Sequence, residues 1–208
     1  MKALIFDYNG VLANDLEIHI ESYDQAFRKY GITNGAGLVR GNIHLSTKDK
    51  IRLVLSENQR ADVDENEILK EKVRLYTQAV SEKDILFPDV REVIPELAKR
   101  YKLGIVTSTS RVLFDAACPR EFAIYFGTIL TLEDFQKPKP DPESLLLASQ
   151  RLNIKPEYCG YVGDTPEDIE AALSAKMRAI GITTGFHSDD DLRRANIIVS
   201  NLKELLSI

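Results

Sequence analysis

Three polar residues of this sequence each follow a short apolar run, and their side chains could together bind a metal ion or a phosphate group. They are Asp7, Thr107 and Asp164, which come after the runs at residues 3–6, 103–106 and 159–162. Apolar runs without alternation predict strands that are buried on both faces, as in a parallel sheet under helices. Parallel strands end at the same edge of a sheet, where open α/β sheets bind ligands. We therefore expect the two carboxylates and the hydroxyl to lie close together.

Two further residues suit the same site. Gly10 allows a sharp turn after the first run and a close approach of the backbone to a ligand. Lys137 lies in the proline-bounded loop Gln136–Asp141, between the second and third runs, and would add a positive charge. The alternative interpretation is structural, with Asp7 a turn or helix-cap residue and Lys137 exposed to solvent. Three strand ends with polar groups, rather than one, favour the chemical interpretation.

These motifs, in this order, resemble those of the haloacid dehalogenase-like (HAD) hydrolase superfamily, which consists mostly of magnesium-dependent phosphatases. The motifs are Asp7–Leu12, Thr107-Ser108, Lys137 within Lys-Pro-Lys-Pro-Asp, and Gly163-Asp164 with Asp168. The resemblance covers essentially the whole chain, including a last strand and helix after Ala195. It is greatest to the branch with a helical cap inserted after the first motif, which contains phosphoglycolate phosphatases and β-phosphoglucomutases. It implies a doubly wound parallel sheet (a Rossmann-like α/β core) with an inserted α-helical cap.

The resemblance also implies a nucleophile and a metal site. Asp7 would attack phosphorus and form an aspartyl-phosphate, a covalent strategy open to carboxylates. Magnesium (Mg²⁺), which prefers oxygen ligands, would be held by Asp7, Asp164 and the backbone carbonyl of Asn9. Asp168 comes four residues after Asp164 and would support the metal ligands from behind. Without the other motifs, Asp168 would be interpreted as a helix-start carboxylate.

A phosphate site is implied beside the nucleophile. Thr107 and the backbone amide of Ser108 would bind phosphate oxygens at a strand-to-helix turn, with the backbone at Gly10 close by. Lys137 would hold the nucleophile and the phosphate by its charge. Lys139 is its nearest competitor, but the resemblance places the functional lysine at the first of the two positions. A Thr-Ser loop taken alone is more simply a helix cap.

Asn9 departs from the family pattern, in which an aspartate at this position protonates the leaving alcohol and later activates water. An amide can donate a hydrogen bond but cannot transfer a proton, a form of help typically worth about 10²–10⁴ in rate. Three explanations are open: a substrate with a good leaving group, a proton supplied by a cap residue such as His19, or a different reaction. Dehalogenases and phosphonatases of the superfamily also lack this aspartate. Gly163-Asp164 favours the metal-using branches over the dehalogenases, and no motif indicates the Schiff-base lysine of a phosphonatase. A catalytically impaired phosphate-binding protein is the remaining alternative.

Residues 14–81 contain only helical periodicity and predict a cap domain, with the core formed by residues 1–13 and 82–208. Helices are predicted to begin near Asn14, Ser46 and Asp62. The apolar stripe predicted for the third helix is Leu69, Val73, Tyr76 and Val80. By the resemblance, this module would close over the carboxyl edge of the sheet and shield the reaction from water.

Two histidines fall in the predicted cap. His19 lies in the first predicted helix, and His44 lies in a loop of the kind that selects substrates in this family. Each is a candidate to contact substrate, and the alternative for each is a structural or exposed side chain. The substrate predicted by the motifs is a small phosphorylated metabolite.

The composition and charge of the sequence argue against several other classes of protein. A net charge of −5 argues against a nucleic-acid-binding surface, which is normally basic. The sequence has no apolar stretch of membrane-spanning length and no signal segment, and its two cysteines form no disulfide framework. We therefore expect a cytoplasmic protein with no membrane partner. The sequence contains no signal for the oligomeric state or for the identity of the metabolite.

Overall fold

The computed structural model describes residues 1–43, 45–185 and 187–208, so that the candidate His44 lies outside the described residues. The chain divides into two compact units, residues 1–14 with 85–208 and residues 15–84. We call them the sheet unit and the helical unit. The boundaries predicted from the sequence, after residues 13 and 81, lie within three residues of these divisions.

The sheet unit contains a six-stranded parallel sheet of order β3-β2-β1-β4-β5-β6. The strands are β1 Ala3–Phe6, β2 Lys102–Val106, β3 Phe126–Leu130, β4 Cys159–Gly163, β5 Arg178–Ile182 and β6 Ile197–Val199. All four residues of β1 are fully buried, which explains why its sequence is apolar without alternation. The predicted doubly wound parallel sheet is confirmed. Successive strands are added first on one side of β1 and then on the other, so β1 lies at the topological switch point.

The helices divide between the two units. Those described in the helical unit are α1 Leu16–Arg28, α2 Gly35–Gly41, α3 Thr47–Glu57 and α4 Glu65–Ser81. Those of the sheet unit are α5 Val90–Ala98, α6 Arg111–Ala117, α7 Arg120–Ala123, α8 Glu143–Leu152 and α9 Pro166–Ser174. Leu145 and Leu152 of α8 and Ile169 of α9 join the apolar core with the strands. The helix expected at the end of the chain is a 3₁₀ helix, Leu202–Ser207.

The helical unit contains the three predicted helices and one that was missed. Ser46 caps α3, since its hydroxyl accepts the backbone N–H of Asp49 at 3.2 Å, and Asp64 caps α4 in the same way. The missed helix, α2, has three glycines in seven residues, a composition that weakens the local helical signal. Val39 of α2 is buried in the core of the helical unit, so tertiary packing stabilises this helix.

The buried face of α4 differs from the predicted stripe. Ile68, Lys72, Tyr76 and Val80 are buried, whereas Leu69 and Val73 are only partly covered. A lysine on this face is accommodated because its ammonium lies over two tyrosine rings and contacts a histidine. Across the part of the chain that the structure describes, every helix is too short or too polar to cross a bilayer.

Candidate active site

Asp7 and Thr107 extend the pairing of neighbouring strands by one residue beyond the strand ends. The backbone N–H of Asp7 donates to the carbonyl of Val162 at 2.9 Å, and that of Thr107 donates to the carbonyl of Leu130 at 3.0 Å. These bonds fix both backbones at the carboxyl edge of the sheet. Because β1 is the switch strand, Asp7 lies where open α/β sheets bind ligands.

Three carboxylates converge at this edge. Asp7, Asp164 and Asp168 each offer an oxygen, and these oxygens lie within 4.8 Å of one another. Asp168 is fully buried and forms a capping box at the start of α9, with its own carboxylate accepting the N–H and hydroxyl of Thr165. The carboxylates predicted from strand ends and spacing are thus brought together.

Lys139 lies between two of these carboxylates. Its Nζ donates to Asp7 Oδ2 at 2.7 Å and to Asp168 Oδ1 at 2.6 Å, and its side chain is only 6% exposed. The phenolic oxygen of Tyr161 contacts the same Nζ at 3.0 Å. Burial by itself lowers the pKa of this ammonium, but the charges of Asp168 and Asp7 outweigh burial and raise the pKa well above its ordinary value. Lys139 is therefore a fixed positive charge.

The predicted position of Lys137 against the nucleophile is wrong in the structure. Its side chain is 69% exposed, and its Nζ lies 3.8 Å from Asp141 Oδ2. The backbone N–H groups of Gln136 and Lys137 donate to the carboxylate of Glu143 in α8, at 2.9 and 3.2 Å. These bonds hold the start of the loop at the surface, and it is Lys139 that enters the site.

The carboxylates carry more negative charge than Lys139 balances. Burial raises the pKa of Asp7 to about 6, although Lys139 opposes the shift. Burial, with repulsion from Asp168 and Asp7, raises the pKa of Asp164 well above its ordinary value. When all three carboxyl groups are ionised, they and the one ammonium leave two negative charges for a divalent cation to neutralise. The donor set consists only of oxygens, which fits Mg²⁺.

Two glycines allow the backbone to enclose Asp164. Gly10 has φ +78°, and a Cβ atom built there would lie 2.3 Å from Asp164 Oδ2. A Cβ on Gly185 would lie 1.9 Å from the same oxygen. The hydroxyl of Thr184 donates to the carbonyl of Gly10 at 2.7 Å and so joins the two segments. Any side chain at either glycine would occupy the space around this carboxylate.

Asn9 contacts two hydroxyl groups from the loop after β2. Its Oδ1 accepts from Thr109 Oγ1 at 2.6 Å and from Thr107 Oγ1 at 3.2 Å. Thr107 is buried, whereas Ser108 is exposed in the turn between β2 and α6. The amide is thus held by the same loop that was predicted to bind phosphate.

A profile of the family described as haloacid dehalogenase-like hydrolase matches residues 4–182. The chain belongs to this family. Phosphoglycolate phosphatase of Escherichia coli (strain K12) is 33% identical over 140 residues, which are 64% of this chain and 54% of that relative. The match therefore spans about half the length of this curated relative.

Two relatives match over more of their length. A phosphorylated carbohydrates phosphatase of Thermotoga maritima is 29% identical over 185 residues, 86% of this chain and 84% of that protein. The crystal structure of a Thermotoga maritima protein provisionally named a β-phosphoglucomutase has a TM-score of 0.81 at 26% identity. That likeness covers 100% of this chain and 97% of the other. This HAD-like chain is therefore similar to phosphate-handling members of the family in sequence and in fold.

His19, the second histidine predicted as a candidate to contact substrate, lies in α1 of the helical unit. Its Nδ1 contacts Lys72 Nζ at 2.9 Å, its Nε2 lies 3.2 Å from Asp15 Oδ2, and its ring stacks on Tyr76 at 4.2 Å. These contacts give His19 a structural environment within its own unit.

Three side chains at the carboxyl edge of the sheet were not selected from the sequence. Lys139 was second choice because the pattern Lys-Pro-X-Pro followed by an acidic residue occurs twice, beginning at Lys137 and again at Lys139. The place of Tyr161 at the site could have been predicted from the alternation of side chains along β4, which turns this side chain toward Lys139 and Asp168. Thr109 carries no signal beyond its place two residues after Thr107.

Proposed function

We propose that this chain is a magnesium-dependent phosphatase that hydrolyses a small phosphorylated metabolite through an aspartyl-phosphate on Asp7. The observation that carries the proposal is the environment of Asp7, in a chain that belongs to a hydrolase family. Oδ1 accepts the N–H of Tyr8 at 2.7 Å and Oδ2 accepts the ammonium of Lys139. A carboxylate oriented in this way, at the switch point of the sheet, is suited to nucleophilic attack.

The side chains around Asp7 have separate tasks in this proposal. Asp7, Asp164 and the backbone carbonyl of Asn9 would hold Mg²⁺, with Asp168 supporting them. When bound, the ion neutralises charge on the phosphate. Lys139, not Lys137, screens the attacking carboxylate from the phosphate anion. Thr107 and the backbone at Ser108 and Gly10 would bind the phosphate oxygens.

The reaction has two steps. A carboxylate oxygen of Asp7 bonds to phosphorus while the leaving oxygen departs, and water then hydrolyses the aspartyl-phosphate. Asn9 can donate a hydrogen bond during the first step, but its amide supplies no proton. We therefore expect alkyl phosphates to be cleaved slowly relative to a family member with aspartate at this position.

The free, buried thiols of Cys118 and Cys159 support a cytoplasmic location in this proposal. A small metabolite remains the proposed substrate, since phosphoglycolate and phosphorylated carbohydrates appear in the names of the relatives.

The phosphatase proposal is tested with an aryl phosphate, in the presence of Mg²⁺ and after its removal by a chelator. We expect turnover only with Mg²⁺, and none from Asp7→Asn, which keeps the shape of the side chain but removes the nucleophile. Acid quench of the wild-type reaction should trap phosphate on the peptide that contains Asp7. Equal turnover by Asp7→Asn contradicts the proposal. If phosphate binds but no substrate is turned over, the protein is a phosphate-binding member of the family.

A further inference from the structure

The amide of Asn9 is held in one orientation by hydroxyl groups. Thr107 Oγ1 accepts the backbone N–H of Thr109 at 3.2 Å, so the hydrogen of the Thr107 hydroxyl is available to Asn9 Oδ1. Thr109 Oγ1 supplies the second donor to the same oxygen, at 2.6 Å. A carbonyl oxygen has two lone pairs, and both are engaged by these bonds. The amide oxygen is therefore occupied, and the other end of the amide carries only N–H donors.

The backbone around Asn9 is fixed as well. The N–H of Gly10 donates to the carbonyl of Ala13 at 2.8 Å, and the carbonyl of Gly10 accepts from Thr184. An isolated β-bridge also pairs the backbone of Asn9 with that of Ala13. The position of Asn9 is thus set by the backbone and the rotation of its amide by the two threonines.

We propose that Thr109 is a positioning residue that holds Asn9 as a fixed hydrogen-bond donor, and that the chain therefore acts on phosphate groups carried by an acidic oxygen. Acyl phosphates and aryl or enol phosphates are substrates of this kind. The proposal rests on the phosphatase function and gives it a substrate class.

The chemistry explains the link between the amide and the leaving group. When Asp7 bonds to phosphorus, the bond from phosphorus to the leaving oxygen breaks and its electron pair stays on that oxygen. A carboxylate leaving group, whose conjugate acid has a pKa of about 4, departs as a stable anion and needs only a hydrogen bond. An alcohol is a far weaker acid, with a pKa close to that of water, so its oxygen needs a proton that neither Asn9 nor the threonine hydroxyls can supply.

The wild type and three variants are compared on phosphates whose leaving groups span a wide pKa range, from acyl through aryl to alkyl. We expect kcat/KM of the wild type to fall steeply as the pKa of the leaving group rises. Asn9→Asp should raise alkyl phosphate cleavage, by up to about 10²–10⁴-fold, and flatten this dependence, because the new carboxyl can transfer a proton. Peptide mass spectrometry must show Asn9 intact in the wild type, because an asparagine before glycine deamidates readily to the same aspartate.

Thr109→Val and Thr109→Ser test the positioning role. Valine keeps the shape of threonine but cannot orient the amide, so kcat should fall about 3- to 10-fold, with little change in KM. The loss should be larger for poorer leaving groups, which makes the dependence steeper than in the wild type. Serine should restore the wild-type dependence, because it returns the hydroxyl.

The outcomes distinguish a failure of this inference from a failure of the proposed phosphatase function. A Thr109→Val protein that unfolds at the wild-type temperature with an unchanged leaving-group dependence overturns the positioning role. Equal cleavage of alkyl and acyl phosphates by the wild type overturns the substrate class, while the phosphatase function stands. If the Mg²⁺-loaded chain cleaves none of the series, the phosphatase function fails and the inference fails with it.

Discussion

The two units each bury a lysine, and the two lysines have opposite acid–base properties. Lys139 in the sheet unit lies between the carboxylates of Asp7 and Asp168, and its pKa is raised. Lys72 in the helical unit is 1% exposed, and its pKa is lowered to about 7. Burial acts in the same direction on both, because it disfavours the charged form. The neighbouring charges therefore decide the difference.

The neighbours of Lys72 are mostly neutral or basic. Its Nζ lies 2.9 Å from His19 Nδ1, over the rings of Tyr23 and Tyr76, with Lys50 adding repulsion. Asp15 attracts this ammonium, but burial outweighs the attraction. His19 is affected in the same way, since burial and Lys72 lower its pKa. A buried lysine thus serves as a fixed cation beside carboxylates and as a titratable amine beside a histidine.

Among changes in the surroundings of the two lysines, the largest effect is expected from Asp164→Ala, which removes a proposed metal ligand from the carboxylate cluster around Lys139. Turnover should fall by at least about 10³-fold, because a bound metal contributes several kcal/mol to the transition state. Mg²⁺ affinity, measured by calorimetry, should fall with it. The metal-free variant should unfold at a higher temperature than the metal-free wild type, because a buried, repelled carboxylate is gone. Asp115→Ala is the matched control, since that side chain is 61% exposed. Unchanged Mg²⁺ affinity contradicts the assignment.

Replacing the cation itself should have the next largest effect. Lys139→Met removes the charge beside Asp7, and we expect kcat to fall about 10²–10³-fold, as for other preorganised electrostatic contacts. Lys137→Met is the matched control, two residues away in the same loop, and should stay within about twofold of the wild type. Circular dichroism checks that both variants fold, because the first leaves Asp7 and Asp168 without their partner. The opposite ranking in kcat would restore Lys137 as the functional lysine.

Lys72→Met should change the pH dependence of stability. Below the ordinary lysine pKa of 10.5 the unfolded chain holds this proton, while the folded chain loses it above about pH 7. The free energy of unfolding should therefore rise with pH between these values, by at most about 1.4 kcal/mol per pH unit from this group. Denaturant unfolding at several pH values should show a smaller rise in the variant.

The control for this experiment is Lys70→Met, on the same helix but with a side chain that is 73% exposed. Its pH profile should parallel that of the wild type. A parallel profile for Lys72→Met as well would mean that Lys72 stays protonated in the folded chain, and the contrast between the two lysines would disappear.

The smallest effect is expected from Tyr161→Phe. This hydroxyl contacts Lys139 at 3.0 Å and Asp168 at 3.2 Å, and it reaches the carbonyl of Val106 at 3.3 Å. Its loss should cost about 1 kcal/mol of unfolding free energy and lower kcat only a few-fold, since both salt bridges of Lys139 remain. A loss of kcat as large as that of Lys139→Met would show that the hydroxyl, and not the carboxylates alone, sets the position of the cation.

Local patterns were sufficient for the sheet and for most of the acidic site. The buried strands follow from short apolar runs, because a strand covered on both faces has no polar side to present. Asp7 and Asp164 follow from their places at the ends of β1 and β4. Asp168 follows from its spacing after Asp164, which suits the first turn of a helix.

Which lysines are buried was decided by the tertiary structure. Two overlapping copies of one loop pattern offered Lys137 and Lys139 on equal chemical terms, and the bonds from the loop backbone to Glu143 determine which of them is buried. Helical periodicity likewise located the buried side of α4 within one residue but assigned it to Leu69 and Val73 instead of Lys72. A lysine is buried only where other segments provide partners for its ammonium, and those partners are distant in sequence. Periodicity records which face of a segment avoids water, whereas the charge state of a buried group depends on what the fold brings beside it.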